Sequence, residues 1–124
     1  MARLIRHARF VVPLAVAGLI LASCGSGGAT SEARTSCAYV KRALAIERHS
    51  EQPDLSATRR SALQAGALSE LLKGTPAAAA ATSQDGSWNP LMTAINEAER
   101  VPIPDLVATL TRLCTIADSS TPYP

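Results

Sequence analysis

The sequence predicts an all-α fold built from four helices. Three observations carry this: apolar residues recur at helical spacing through four stretches, no run alternates apolar and polar residues with β-branched enrichment, and prolines stand at the borders of the stretches. In the first stretch Cys37, Val40 and Leu44 share one stripe and Tyr39, Ala43 and Ile46 an adjacent one. Lys41, Arg42, Arg48 and His49 lie opposite, the pattern of an amphipathic helix of about 15 residues. Pro53-Asp54 opens the second, in which Leu63, Ala67, Leu71, Leu68 and Leu72 form a broad face away from Arg59, Glu70 and Lys73.

Gly74 and Pro76 stop or kink that helix. The Ala77 to Ala81 run beyond them reads either as its own helical turn, capped by Thr75 with Pro76 in the first position, or as an extension of the second helix. Ser83 to Ser87 reads as loop. The third helix takes Asn89 as N-cap and Pro90 in its first turn, with Leu91, Ile95 and Ala98 inward. In the fourth, Leu106, Leu110, Leu113 and Ala117 recur at i, i+4, i+7 and i+11, and Asp105 sits in the first turn, where the helix dipole favours an anion.

Ahead of these helices, Arg3, Arg6 and Arg9 precede an uncharged apolar run from Phe10 to Ala22 that contains Pro13. A helix spanning a bilayer needs about 17 to 25 apolar residues, so this shorter run reads as an export signal that is processed rather than retained. It ends in Leu21-Ala22-Ser23-Cys24, which resembles the lipobox of bacterial lipoproteins. The resemblance implies a signal peptide over residues 1–23 and a thioether-linked diacylglycerol on Cys24, with fatty acyl chains such as palmitate. It also implies a chain held by lipid at the extracytoplasmic face of the cell membrane. The remaining sequence resembles small secreted helical proteins of actinobacteria, with heavy use of alanine and of arginine over lysine.

Residues 24–36, which include the small polar segment GSGGATSEARTS, read as a flexible tether with a root-mean-square reach of about 20 Å. Residues 37–119 read as the helical bundle and 120–124 as a tail. With Cys24 carrying lipid, Cys37 and Cys114 remain as a pair on the oxidising side of the membrane, and a disulfide is expected between them. A zinc site would need ligands that one mature histidine, His49, cannot supply. Joining the start of the first helix to the end of the last favours an even number of antiparallel helices, hence a four-helix up-down-up-down bundle.

Removing the three signal arginines leaves 9 basic residues against 10 acidic ones, so a nucleic-acid partner is not expected. The chain carries no glycine-rich phosphate loop, nucleophile elbow, paired-cysteine zinc spacing or His-x-x-x-His helix. No catalytic residue, cofactor or metal is therefore expected. His49 reads as a solvated residue near a helix C-terminus, and a haem held by His49 and Met92 fails because the two fall near opposite poles.

Two residues stand out as ligand or partner candidates. Glu47 lies on the apolar side of the first helix, where it must pair with an arginine such as Arg60 or Arg112, sit at a frayed end, or serve as a polar group inside a pocket. Trp88 either packs over the mouth of the bundle or anchors a partner or the lipid interface. The function expected is a non-catalytic binding or scaffolding role in the cell envelope, with an envelope protein as partner. The alternative is a carrier of a small apolar ligand in a groove lined by Leu63, Leu68, Leu110 and Leu113, with Glu47 as its polar determinant.

Overall fold

The computed structural model describes residues 28–120, and over them the chain is helical with no strand. Five α-helices and one short 3-10 turn follow in order: α1 (Gly28–Ser50), α2 (Ala57–Leu72), α3 (Thr75–Gln84), the turn Gly86–Trp88, α4 (Asn89–Glu97) and α5 (Ile103–Ser119). The four helices expected from periodicity are α1, α2, α4 and α5. The Ala77 to Ala81 run is a separate helix, α3, with Pro76 in its first turn and Gly74 at its N-cap position.

Local chemistry fixes most of the boundaries. Arg48 and His49 occupy the last turn of α1, where cations complement the carbonyl end of the dipole. The second helix begins later than Pro53-Asp54: Ser56 is its N-cap, and the Ser56 hydroxyl accepts from the Arg59 backbone N–H at 3.2 Å. Asp85 caps the 3-10 turn by accepting from the Ser87 N–H at 2.9 Å. Asn89 is the first residue of α4 rather than its cap, since the 3-10 turn already brings the chain into helical geometry at Trp88. Asp105 lies in the first turn of α5, as its position in the sequence predicts.

The expected tether is corrected by the structure. From Gly28 to Ser36 the chain forms the first turns of α1, and Ala33 and Ser36 are fully buried. Read alone, these residues bury too little to order themselves, but α3 packs along α1 and supplies the missing surface. The Ser36 hydroxyl donates to the Gly74 carbonyl at 2.9 Å. The Arg34 guanidinium donates to the carbonyls of Ala117, at 2.9 Å, and Ser120, tying this end of α1 to the last turn of α5. The folded unit therefore begins at least nine residues before Cys37, and Ser120 closes α5 rather than opening a tail. Residues 121–124 and the lipobox, Cys24 included, lie outside the described residues.

Helix α1 is the hub, with α2, α3 and α5 against it and α4 bridging α3 and α5. Val40, Leu71, Leu91, Ile95 and Leu110 are the large apolar side chains fully withdrawn from solvent. Cys37 and Cys114 are bonded, with Cα atoms 5.4 Å apart, and both are buried within this core. The bridge joins the middle of α1, not its start, to α5.

Candidate functional site

Near its C-terminal end α1 carries the one buried carboxylate among the described residues, Glu47, only 3% exposed. It opens onto a groove of about 360 Å³. Gln64 and Leu68 of α2 form one wall. The opposite wall is Ala98, Pro102, Ile103 and Pro104, the turn between α4 and α5 and the first residues of α5. Prolines at that turn leave fewer backbone N–H groups facing the cleft, so its walls are apolar and Glu47 and Gln64 are its polar groups.

The carboxylate has few partners. The Ser50 hydroxyl stands 3.4 Å from Glu47 Oε1 but makes its shorter bond, 2.7 Å, to the Glu47 carbonyl. Burial pushes the Glu47 carboxyl above its ordinary range; the Ser50 hydrogen bond lowers it in part, and the Glu51 charge one turn on raises it further. Neither arginine proposed to neutralise it does so. Arg60 donates to the Gln52 carbonyl at 3.0 Å, with its Nε buried and unpartnered, and Arg112 is exposed on α5. No frayed end accounts for Glu47 either, because α1 continues through Ser50.

The remaining candidates fall elsewhere. Of the four leucines expected to line a groove with Glu47, only Leu68 does so. Leu110 is fully buried in the core, Leu113 borders a separate cleft, and Leu63 lines neither. Trp88 is 7% exposed and joins the core, which leaves little of it available as an anchor for a partner. Together with Thr30, Leu113, Ile116 and Ser120 it borders a cleft of about 270 Å³ at the opposite end of the molecule. Asp85 at that cleft is held below the usual carboxylate range by the Ser87 backbone N–H. His49 is exposed in the last turn of α1.

The surface ion pairs are structural. Arg42 and Lys73 each lie 2.7 Å from the Glu70 carboxylate, and Arg42 also stacks over the Tyr39 ring, 4.6 Å from its centroid. Lys41 meets Asp118 at 2.6 Å across α1 and α5. Such surface pairs are screened by solvent and mark no site. Among the described residues no group of three or more His, Cys, Asp or Glu side chains could hold a metal ion, and no helix is long and apolar enough to cross a membrane. Sequence reasoning had no access to Gln64 and the Pro102 to Pro104 wall, since they become neighbours of Glu47 only through tertiary packing. Comparison of the chain with known protein families, with curated proteins and with solved structures found no match.

Proposed function

We propose that this chain is a lipid-anchored envelope protein whose helical domain binds a small apolar ligand in the groove at Glu47, without catalysing a reaction. The observation that carries the binding reading is the groove itself: about 360 Å³, largely apolar, with Gln64 on one wall and one buried carboxylate inside it. That volume and that lining are typical of small-molecule sites, at the compact end of their range. A scaffolding role toward an envelope protein is the second reading, with the exposed Ile116 beside Trp88 at the far cleft as its contact point. The non-catalytic part rests on the sequence, which lacks a nucleophile and base at useful spacing.

The anchor rests on Leu21-Ala22-Ser23-Cys24 behind its basic and apolar segments. Cys24 precedes the first described residue of α1, Gly28, by four positions, at most about 14 Å of chain even if fully extended. Glu47 lies 19 residues along α1 from Gly28, about 29 Å at helical rise. With α1 standing upright on the bilayer, an anchored domain holds its groove away from the membrane and takes its ligand from the aqueous side.

The arrangement is read as an up-down-up-down bundle in which α3 continues the course of α2. Its support is the order of pairings: Ser36 and Arg42 on α1 and Gln52 just beyond its end meet Gly74, Glu70 and Arg60, and Arg34 and Cys37 meet Ala117 and Cys114. The intact mass of the membrane-extracted protein tests the anchor. Loss of residues 1–23 and gain of a diacylglycerol adduct are expected, and a chain that keeps them or lacks lipid refutes it. Distances to the bilayer from labels at Glu51 and Asp85 test the orientation, with Glu51 expected to be the farther.

A further inference from the structure

We propose that the groove recognises a compact organic cation, an ammonium group on an apolar body, with Glu47 as its counter-ion. This deepens the carrier reading and rests on it. A buried charge is retained where it is paired or where its binding partner arrives from outside. Glu47 is 3% exposed, forms no ion pair among the described residues, and has one distant hydroxyl donor, Ser50 at 3.4 Å. Its carboxylate therefore keeps accepting capacity that an ammonium, with its several N–H donors, would fill.

The surroundings set the sign of the ligand's charge. On α1, Glu51 adds a second negative charge, and Arg48 and His49 are exposed. From α2 the groove receives uncharged Gln64 and Leu68, while Arg60, one turn earlier, is engaged with the Gln52 carbonyl. Near the α4 to α5 turn, Glu97 and Arg100 pair with each other at 2.6 Å, and Asp105 on α5 is exposed. No cationic side chain among the described residues lines the groove. An anionic ligand would meet an unneutralised carboxylate, and a neutral one would leave it unpaired. The Leu68, Ile103 and proline walls suit an aliphatic body of a few carbons, and Gln64 offers a side-chain carbonyl as a second acceptor for the ammonium.

The test compares n-hexylammonium with 1-hexanol and hexanoate on the full, disulfide-bonded chain, following the methyl resonances of Leu68 and Ile103 by NMR. Hexylammonium is expected to bind at least about tenfold more tightly than hexanol near neutral pH, with hexanoate weakest. In Glu47→Gln the preference over hexanol should fall to within about twofold. In the unaltered chain, which needs no variant to fold, hexylammonium binding should weaken as acid protonates Glu47 while hexanol binding stays level. Equal affinity for hexylammonium and hexanol, or a preference untouched by acid, overturns the cation inference and leaves the carrier reading standing. Failure of all three probes to shift the groove methyls overturns both.

Discussion

Breaking the Cys37–Cys114 bridge should remove a large share of the stability of this domain, and the loss separates into two measurable parts. The bond closes a loop of 77 residues between α1 and α5. On the chain-entropy model a loop of that length restricts the unfolded chain by about 4.5 kcal/mol at 25 °C, against a typical total of about 5 to 15 for a domain. Reducing the bond leaves both sulfur atoms in place, so the oxidised and reduced proteins differ by the crosslink alone. The double variant Cys37→Ala, Cys114→Ala removes the sulfurs as well. Because both positions are nearly inaccessible, it should lose a further 1 to 2 kcal/mol, roughly, to unfilled space. Urea unfolding followed by far-UV circular dichroism measures all three forms. The reduced protein should unfold at lower denaturant with a steeper slope, since its uncrosslinked unfolded state exposes more surface. Its melting temperature should fall by about 20 °C or more. Oxidised and reduced chains that unfold within about 1 kcal/mol of each other would refute the account, for the bridge would then constrain nothing the helices do not already hold.

Other perturbations address single contacts. Because the folded chain holds the Glu47 proton at pH values where the unfolded chain has released it, stability should be highest below the unfolded value and decline as pH rises through the raised folded one. Glu47→Gln should abolish that decline and be the more stable form at neutral pH, as denaturation at several pH values would show; an unchanged pH profile would mean the carboxylate is not desolvated. Gly74→Ala should cost about 1 to 2 kcal/mol, because the added carbon would lie 3.0 Å from Ser36 Oγ and 3.1 Å from the Ser36 carbonyl oxygen; a melting temperature equal to that of the parent would contradict the close approach. Trp88→Ala should lose about 3 to 5 kcal/mol through cavity formation, and a loss under about 1 kcal/mol would return Trp88 to the surface. A chain starting at Ser36 should be less stable by about 2 kcal/mol or more, since it forfeits buried Ala33 and the Arg34 bonds to α5. Equal stability of the shortened chain would restore the tether.

Helix identity was legible because the physics is local. Leu106, Leu110, Leu113 and Ala117 repeat at helical spacing whatever surrounds them, and the structure places all four within α5, three of them buried and Leu106 packed against the core. Helix beginnings were less legible, since a cap is a choice among nearby polar residues: the sequence reads Pro53-Asp54 as the opening of α2, and the Ser56 bond to Arg59 moves it to Ser56. The groove was least legible. Leu110 and Leu113 have the apolar character a pocket needs, yet the core consumes them, and Pro102, Ile103 and Pro104 read as a helix boundary until tertiary packing sets them opposite Glu47.

The segment from Gly28 to Ser36 joins these lessons to function. Its composition is that of a linker, and an isolated helix of such residues would not persist in water. What orders it is reciprocal: α3, rich in alanine and nearly featureless by periodicity, meets α4 and the 3-10 turn on one side and is covered on the other only because α1 extends back to meet it. Ala77, Ala78 and Ala81 are buried on α3 and Ala33 and Ser36 on α1, small residues that let the two packed helices approach closely. Extending α1 in this way shortens whatever separates the domain from Cys24 and lengthens the rod that separates Cys24 from Glu47. The same packing that removes the slack at one end therefore sets the groove at the far end, so a lipidated chain would present its buried carboxylate to solutes outside the membrane rather than to the bilayer that holds it.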